Sequence, residues 1–192
     1  MRTLVASAWF DGERYRDSPV SIVVDGERIV SVTHGEHPAP GPTTRCAFAM
    51  PGLVDAHCHL FLDGGELDFQ VRSRYQDAPL EKMLEVGREN VARSLSRGIT
   101  MVRDAGDRYG VNHRIRGESK VLDVRSAGVA LRRPNRYGSF MAREASSDDE
   151  IRAAVRDIAR SSDDLQIIET GIIDFESGSV KGAPQFDVES LR

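Results

Sequence analysis

The chain changes its pattern at Pro51-Gly52, and this change limits the folds open to it. After this point, short apolar runs typical of buried strands alternate with longer segments whose apolar residues follow helical spacing. The strand patterns lie at 53–60, 99–105, 121–131 and 165–171. Because strand–helix alternation favours parallel pairing through right-handed crossovers, the sequence predicts an α/β sheet or part of a (β/α) barrel.

Two of the segments between these strands carry clear helix signals. Residues 79–98 begin with a proline and end with a glycine, and the apolar residues between them lie near helical spacing. Residues 146–161 begin with serines suited to an N-cap, and acidic residues follow in the first turn. Residues 110–119 predict a shorter and weaker helix, and we expect His113 within them to lie at the surface.

The first 50 residues follow a different pattern. Three β-type runs are separated by Asp11-Gly12 and Asp25-Gly26. Asp-Gly favours hairpin turns because both residues tolerate a positive φ, so we predict a small antiparallel β unit. The stretch 34–44 is rich in proline and glycine and is predicted to be a connection.

Composition excludes several classes of protein. The 26 basic and 30 acidic residues are spread along the chain, which therefore has no basic stripe for binding nucleic acid. No apolar run approaches the roughly 20 residues that span a membrane, and the N-terminus lacks the pattern of a signal peptide. Two cysteines, Cys46 and Cys58, do not make a disulfide framework. We expect a cytoplasmic protein without nucleic-acid or membrane partners.

Two of the five histidines, His57 and His59, end the first strand pattern in "PGLVDAHCHL". Residues two apart in a strand project to the same face, so their imidazoles should converge. Neutral imidazole nitrogen is a good ligand for zinc and similar divalent ions, and Asp55 on the same face could orient the pair. The alternative is that one histidine packs in the core, the other is exposed, and no metal binds.

The stretch "PGLVDAHCHL", following a β-rich unit, resembles the amidohydrolase superfamily, whose barrel begins with a "PG[LF][IV]DxHxH" strand. "GITMVRDAG" at 98–106 is similar to the "GxTTVRDxG" motif of its imidazolonepropionase-like and Xaa-Pro dipeptidase-like branch. "RYGSF" at 136–140 and the segment 165–191 resemble that branch's third and fourth units. The resemblance implies the first half, about four βα units, of a TIM-type (β/α)8 barrel at 51–192, preceded by a small β-sandwich segment at 1–50.

The resemblance also implies a reaction and a cofactor. It implies hydrolysis of a C–N bond, in an amide or cyclic amide, by water activated by a divalent metal, most commonly zinc, with a small-molecule substrate. His57 and His59 match the family's first metal ligands, and Gln166 stands where the family typically has a lysine that becomes carboxylated. Because glutamine cannot be carboxylated, we expect a single ion with Gln166 as a weak third ligand, or a lost metal site. Glu169 is an alternative donor.

The family's later metal ligands and its catalytic aspartate would lie beyond Arg192. We therefore expect the catalytic residues, unknown here, on a complementary protein chain that carries the C-terminal half of the barrel. There are two rival hypotheses. In the first, the chain is a non-catalytic structural subunit or pseudoenzyme remnant with a degraded metal site. In the second, it is a piece of one longer enzyme.

Candidate substrate-binding residues lie where the second and third strands end. They are Arg103, Arg132, Arg136 and Tyr137. Barrel active sites form at the carboxyl ends of the strands, so these side chains could orient an acidic or polar substrate. The alternative is that Arg103 and Asp104 make structural pairs and that the loop arginines are solvated.

Overall fold

The computed structural model of the chain describes residues 1–37, 41–66, 68–171 and 177–192. Within these residues the chain forms two compact units, Met1–Gly52 and Leu53–Arg192. The fold is mixed α/β, as predicted, with a mostly antiparallel sheet in the first unit and parallel strands in the second. Part of the predicted connection at 34–44 falls outside the described residues.

The first unit is a five-stranded sheet. Its strands are β1 (Arg2–Phe10), β2 (Tyr15–Arg16), β3 (Val20–Asp25), β4 (Arg28–His34) and β5 (Thr43–Ala49). The order is β2-β1-β3-β4, and β5 pairs with β1 in parallel. Gly12 and Gly26 take φ values of 106° and 58° in the two predicted turns, a conformation that glycine adopts at little cost. The hairpins are thus confirmed, whereas β2 and β5 were not predicted.

The second unit carries the parallel strands and the helices. Its strands are β6 (Leu53–Cys58), β7 (Ile99–Asp104), β8 (Asp123–Ser126), β9 (Ala130–Arg132) and β10 (Ala142–Glu144), and its helices are α1 (Phe69–Tyr75), α2 (Leu80–Ser96), α3 (Val111–Glu118) and α4 (Asp148–Ile158). Strands β6, β7 and β8 form a parallel three-stranded sheet in that order, and β9 pairs with β10 in parallel.

The third predicted strand, 121–131, is wrong in its extent, because the structure divides it into β8 and β9. Gly128 causes the break with a φ of 67°. Its carbonyl oxygen accepts hydrogen bonds from the Asp107 N–H at 3.0 Å and from Asn112 Nδ2 at 2.7 Å. Among the described residues, the fourth predicted strand is reduced to one parallel bridge between Ile167 and Leu131.

The helices predicted from local signals are confirmed. Helix α2 begins after Pro79, and the Ser147 hydroxyl caps α4 by accepting from the Glu150 N–H at 3.3 Å. The shorter helix α3 is also present. Helix α1 was not predicted, although Asp68 provides an N-cap by accepting from two backbone N–H groups of its first turn. No helix among the described residues is long and apolar enough to cross a membrane.

The core of the second unit lies between the three-stranded sheet and helices α2 and α3. Its buried apolar side chains are Leu60, Phe61, Met83, Leu84, Val102, Val111, Ile115, Leu122 and Val124. Gly87 lets the two helices approach closely, because a Cβ added there would lie 3.1 Å from Ile115 Cγ1. This packing fixes the helices against the sheet and so places the carboxyl ends of β6 and β7.

His113 differs from its predicted surface position. The ring is partly buried, with Nδ1 at 3.1 Å from the hydroxyl of Ser126 and Nε2 at 3.5 Å from that of Ser162. Burial lowers the pKa of His113 below its usual 6.5. The imidazole is therefore part of the packing between α3 and the sheet.

Candidate functional site

The two histidines of the first motif lie at the carboxyl end of β6. The ring centroids of His57 and His59 are 5.5 Å apart, and their planes are inclined by 79°. His57 is exposed and His59 is partly buried. Asp55 supports this end of the strand, because its Oδ1 accepts from the backbone N–H of His57 at 3.1 Å. Two imidazoles are thus adjacent where a barrel would have its active-site mouth.

A hydrogen bond defines the tautomer of His59. Its Nδ1 lies 2.9 Å from the carbonyl oxygen of Gly106. Since a carbonyl oxygen can only accept, Nδ1 carries the proton and the lone pair remains on Nε2. Histidines that ligate a metal through one ring nitrogen typically donate a hydrogen bond of this kind from the other.

The pKa shifts of both imidazoles favour the neutral form, which binds metals. Loss of hydration beside the surrounding protein is the main cause that lowers the pKa of the exposed His57 and of the partly buried His59 below the usual 6.5, and the positive charge of Arg103 lowers both further. Neutral imidazoles need not lose a proton before they coordinate a cation.

Asp104, at the end of β7, ties the neighbouring segments together. Its side chain is fully buried, and burial raises its pKa to about 6. One oxygen, Oδ2, accepts from the Leu60 N–H at 2.8 Å, and the other, Oδ1, accepts from the Gly106 N–H at 2.9 Å. A single carboxylate thus holds both the residue after His59 and the turn whose carbonyl engages the His59 ring.

Two helices hold the loop that follows the histidines. Asn90 of α2 donates from Nδ2 to the carbonyl oxygens of Leu60 and Leu62, both at 2.9 Å. Tyr75 of α1 donates from its hydroxyl to the carbonyl oxygen of Phe61. The backbone after β6 is therefore fixed from the helix side as well as from β7.

An open cleft of about 530 Å³ lies beside the histidines. Its polar lining includes Asp55, His57, His59, Asp63, Glu66, Arg72, Asn90, Arg93 and Arg97. Cys58 also lines the cleft, but burial raises the pKa of its thiol to about 12, so the thiol is not a nucleophile at neutral pH. The cleft has room for a small polar molecule next to the imidazoles.

Gln166, the predicted third ligand, is engaged by Arg103. Its Oε1 accepts from Nη1 of Arg103 at 3.2 Å and from Nη2 at 3.3 Å. Arg103 also makes a two-pronged contact with Asp164, from Nε at 2.7 Å and from Nη2 at 2.9 Å. Arg103 therefore has structural partners in the position where we predicted a substrate contact.

The structure does not assemble a complete metal site from this chain. The described residues contain no group of three or more His, Cys, Asp or Glu side chains that could hold a metal ion. The alternative donor, Glu169, has a buried Oε2 without a hydrogen-bond partner among them. The metal-ligand roles of His57, His59 and Gln166 stay predictions.

The other predicted substrate contacts each have a partner within the chain. Arg132 donates from Nη2 to Glu144 Oε1 at 2.5 Å. Arg136 donates to the carbonyl oxygen of Ala183. Tyr137 packs edge to face against a phenylalanine ring with the centroids 5.8 Å apart, and its side chain remains 38% exposed. Arg136 and Tyr137 are exposed and Arg132 is partly buried, and the substrate role of all three stays a prediction.

The model of the amidohydrolase family matches residues 48–192, which is most of the chain. The chain belongs to the amidohydrolase family. No curated protein matches the sequence significantly.

Solved structures agree with this assignment at the level of the fold. The chain is similar to a Xaa-Pro dipeptidase with bound methionine (19% identity, TM-score 0.73, 99% of this chain and 52% of that one). It is also similar to a prolidase complexed with N-methylphosphonate-L-proline (22%, 0.72, 98% and 52%) and to A. niger ochratoxinase (20%, 0.72, 99% and 51%). The chain therefore spans about half the length of these structures.

Sequence reasoning about this amidohydrolase chain missed the part that Gly106 and Asn90 play in holding His59, and it considered structural pairs for Asp104 without this role. Asp104 offered a signal, because a carboxylate that ends an apolar strand is seldom buried without hydrogen-bond donors around it. The role of Gly106 depends on its main-chain carbonyl, which no side-chain pattern reveals.

Proposed function

We propose that this chain is the N-terminal half of a metal-dependent amidohydrolase-like enzyme that hydrolyses a C–N bond in a small amide or cyclic amide. The observation that carries the proposal is the pair of adjacent imidazoles. The hydrogen bond from His59 Nδ1 to Gly106 leaves the lone pair of this ring on Nε2. Membership of the amidohydrolase family supports the reaction class.

The residues present fit part of a zinc site. Catalytic zinc takes about three protein ligands and prefers imidazole nitrogen among others, so His57 and His59 would supply two of them. Gln166 remains a candidate for a third, provided that its Oε1 gives up its contact with Arg103. When bound, a divalent ion lowers the pKa of a coordinated water toward neutrality.

The chain's own residues would place the substrate. The cleft beside the histidines would hold the reacting bond near the proposed metal ligands, and none of the four predicted substrate contacts is among its lining residues. Arg103, Arg132, Arg136 and Tyr137 are the proposed contacts for polar groups of the substrate. Arg136 and Tyr137 are both exposed, so we expect these two side chains to be available for direct contact with the substrate.

We further propose that a second chain completes the barrel and supplies the catalytic residues. Among the described strands, β6 pairs with β7 alone, and its Leu53 and Val54 are 48% and 58% exposed. A closed barrel has no such free edge. We propose residues 51–192 as half of this barrel, residues 1–50 as part of a β-sandwich, and the cytoplasm as the location.

One observation favours a second candidate, a non-catalytic subunit with a degraded metal site. Gln166 replaces the carboxylated lysine of the resembled family, and its amide oxygen already accepts from Arg103. A chain in this role would retain the fold and the interface but would bind no ion.

Zinc titration of the chain separates the two candidates. We expect about one zinc ion per wild-type chain, and binding at least about tenfold weaker after His57→Ala, because one of two imidazole ligands is lost. His37→Ala is the matched control, since His37 is exposed in the first unit and bonds through Nε2 to the His34 carbonyl. Wild-type protein that binds no zinc, or two variants that bind alike, would favour the non-catalytic role.

The proposed second chain needs its own experiment. Intact-mass analysis after gentle purification from the native source should find this chain together with a companion of similar length. Finding the sequence only within one longer polypeptide would contradict a two-chain enzyme while leaving the metal ligands untouched.

A further inference from the structure

We infer that Asp104 is a positioning residue for the proposed metal centre. Through the backbone of Gly106, Asp104 sets the tautomer of His59. This role of Asp104 deepens the proposed function. Only the expected effect on metal affinity rests on that function. The tautomer itself is a property of the chain without metal.

The first step is the direct contact between ring and backbone. Nδ1 of His59 donates to the Gly106 carbonyl oxygen at 2.9 Å across a sequence separation of 47 residues. The carbonyl must stay at this position for the proton to stay on Nδ1. Gly106 has a φ of 112°, and a Cβ there would lie 3.2 Å from the Gly128 carbonyl oxygen, so the turn suits glycine.

The second step is the anchor of that turn. Asp104 Oδ1 accepts from the N–H of Gly106, and Oδ2 accepts from the N–H of Leu60, the residue after His59. The two ends of the ring–carbonyl contact are therefore fixed to one rigid planar group. A shift of either segment alone would break a buried hydrogen bond, which is costly.

The position of residue 104 requires a carboxylate. The Leu60 and Gly106 main chains and the Asn112 side chain all donate to Asp104, and the two oxygens of a carboxylate can accept from all three. An asparagine of nearly the same shape has one acceptor and one NH₂ group, which would face a second donor. Asp104→Asn should therefore release one of the two segments without changing the volume of the core.

Asp107 provides a matched control. It is also buried, at 2% exposure, and its carboxylate also accepts from backbone N–H groups, those of Tyr109 at 2.6 Å, Val111 at 3.1 Å and Asn112 at 2.8 Å. These bonds hold the first turn of α3, although the negative charge of Asp107 also raises the pKa of His59. Asp107→Asn thus removes a nearby charge but neither of the hydrogen bonds to Leu60 and Gly106, so it should leave the tautomer of the ring unchanged.

The direct test is ¹⁵N NMR of the metal-free 192-residue chain with labelled histidines, with His59→Gln used to assign the signal. We expect the wild-type His59 ring to carry its proton on Nδ1. A wild-type ring protonated on Nε2 would overturn the inference. This measurement needs no variant of Asp104 and no bound metal, so it also decides the matter if Asp104→Asn fails to fold.

The variants test the role of the carboxylate. In folded Asp104→Asn we expect His59 to shift toward the Nε2–H tautomer and zinc affinity to fall about 10- to 100-fold, whereas Asp107→Asn should keep the wild-type tautomer and lose less affinity than Asp104→Asn. An unchanged tautomer in Asp104→Asn, or equal losses in both variants, would contradict positioning by Asp104. If the wild-type chain binds no zinc, the proposed function fails, but the NMR result still decides this inference.

Discussion

Hydrogen bonds to backbone and hydroxyl groups define the state of the partly buried histidines. His59 bonds to the Gly106 carbonyl, and His113 lies between the hydroxyls of Ser126 and Ser162. In both rings burial lowers the pKa, so the folded chain favours the neutral form. Folding stability must then depend on pH near the pKa of unfolded histidine.

His113 allows this dependence to be measured away from the proposed metal ligands. Its folded pKa lies below 6.5, so its contribution to stability is complete above pH 6.5 and is lost as the pH falls through and below that value. We expect the unfolding free energy of the wild type to fall more between pH 7.5 and 5 than that of His113→Gln. Urea unfolding at both pH values measures this, and parallel losses in the two proteins would refute it.

Sequence predicts some residue contacts and not others, for a physical reason. The convergence of His57 and His59 follows from the two-residue period of a strand. The pairing of Arg103 with Asp164 joins residues 61 positions apart, and no local pattern encodes it. The substrate role expected of Arg103 therefore has to be weighed against a structural one.

At the scale of elements, local signals set the helices, whereas distant contacts set the strand ends. Helices α2 and α4 follow from their caps and apolar spacing. The break between β8 and β9 lies at Gly128, whose carbonyl oxygen accepts two hydrogen bonds. One comes from Asp107, which precedes α3, and the other comes from Asn112, which lies in α3. Strand limits could therefore not be predicted before the packing of α3 was known.

Two helical glycines test the close contact between α2 and α3. A Cβ at Gly87 would lie 3.1 Å from Ile115 Cγ1, whereas a Cβ at Gly117 would meet nothing within 4 Å. Alanine favours a helix over glycine by about 0.5–1 kcal/mol, so Gly117→Ala should stabilise the chain by up to that amount. Gly87→Ala should be at least about 1 kcal/mol less stable than Gly117→Ala because of overpacking.

Denaturant unfolding of the two alanine variants and the wild type measures these differences. Equal gains in both variants would show that α2 and α3 do not approach at Gly87 as described. The comparison is controlled because both substitutions add the same methyl group to a helix.

At the scale of the whole molecule, the chain belongs to the amidohydrolase family and spans about half the length of its structural relatives. The edge of β6 that pairs with no other described strand, and the exposed Val54 on that strand, are the features that the proposed second half would cover. Without it, uncovered strand edges promote association between copies.

A charge on this edge should reduce that association. We expect Val54→Lys to shift the isolated chain toward monomer, since a lysine on an edge strand opposes pairing. Val121→Lys is the control, because Val121 is 75% exposed and lies outside the strands. Light scattering coupled to size-exclusion chromatography over a range of concentrations measures the effect, and identical behaviour of the two variants would argue against an exposed pairing edge.

The most direct test of the account is anomalous diffraction at the zinc edge from crystals of the chain grown with zinc. We expect one ion about 2.0–2.1 Å from Nε2 of His59 and at a similar distance from a ring nitrogen of His57. A zinc-loaded crystal with no ion at this pair, or with the two rings turned apart, would contradict the account.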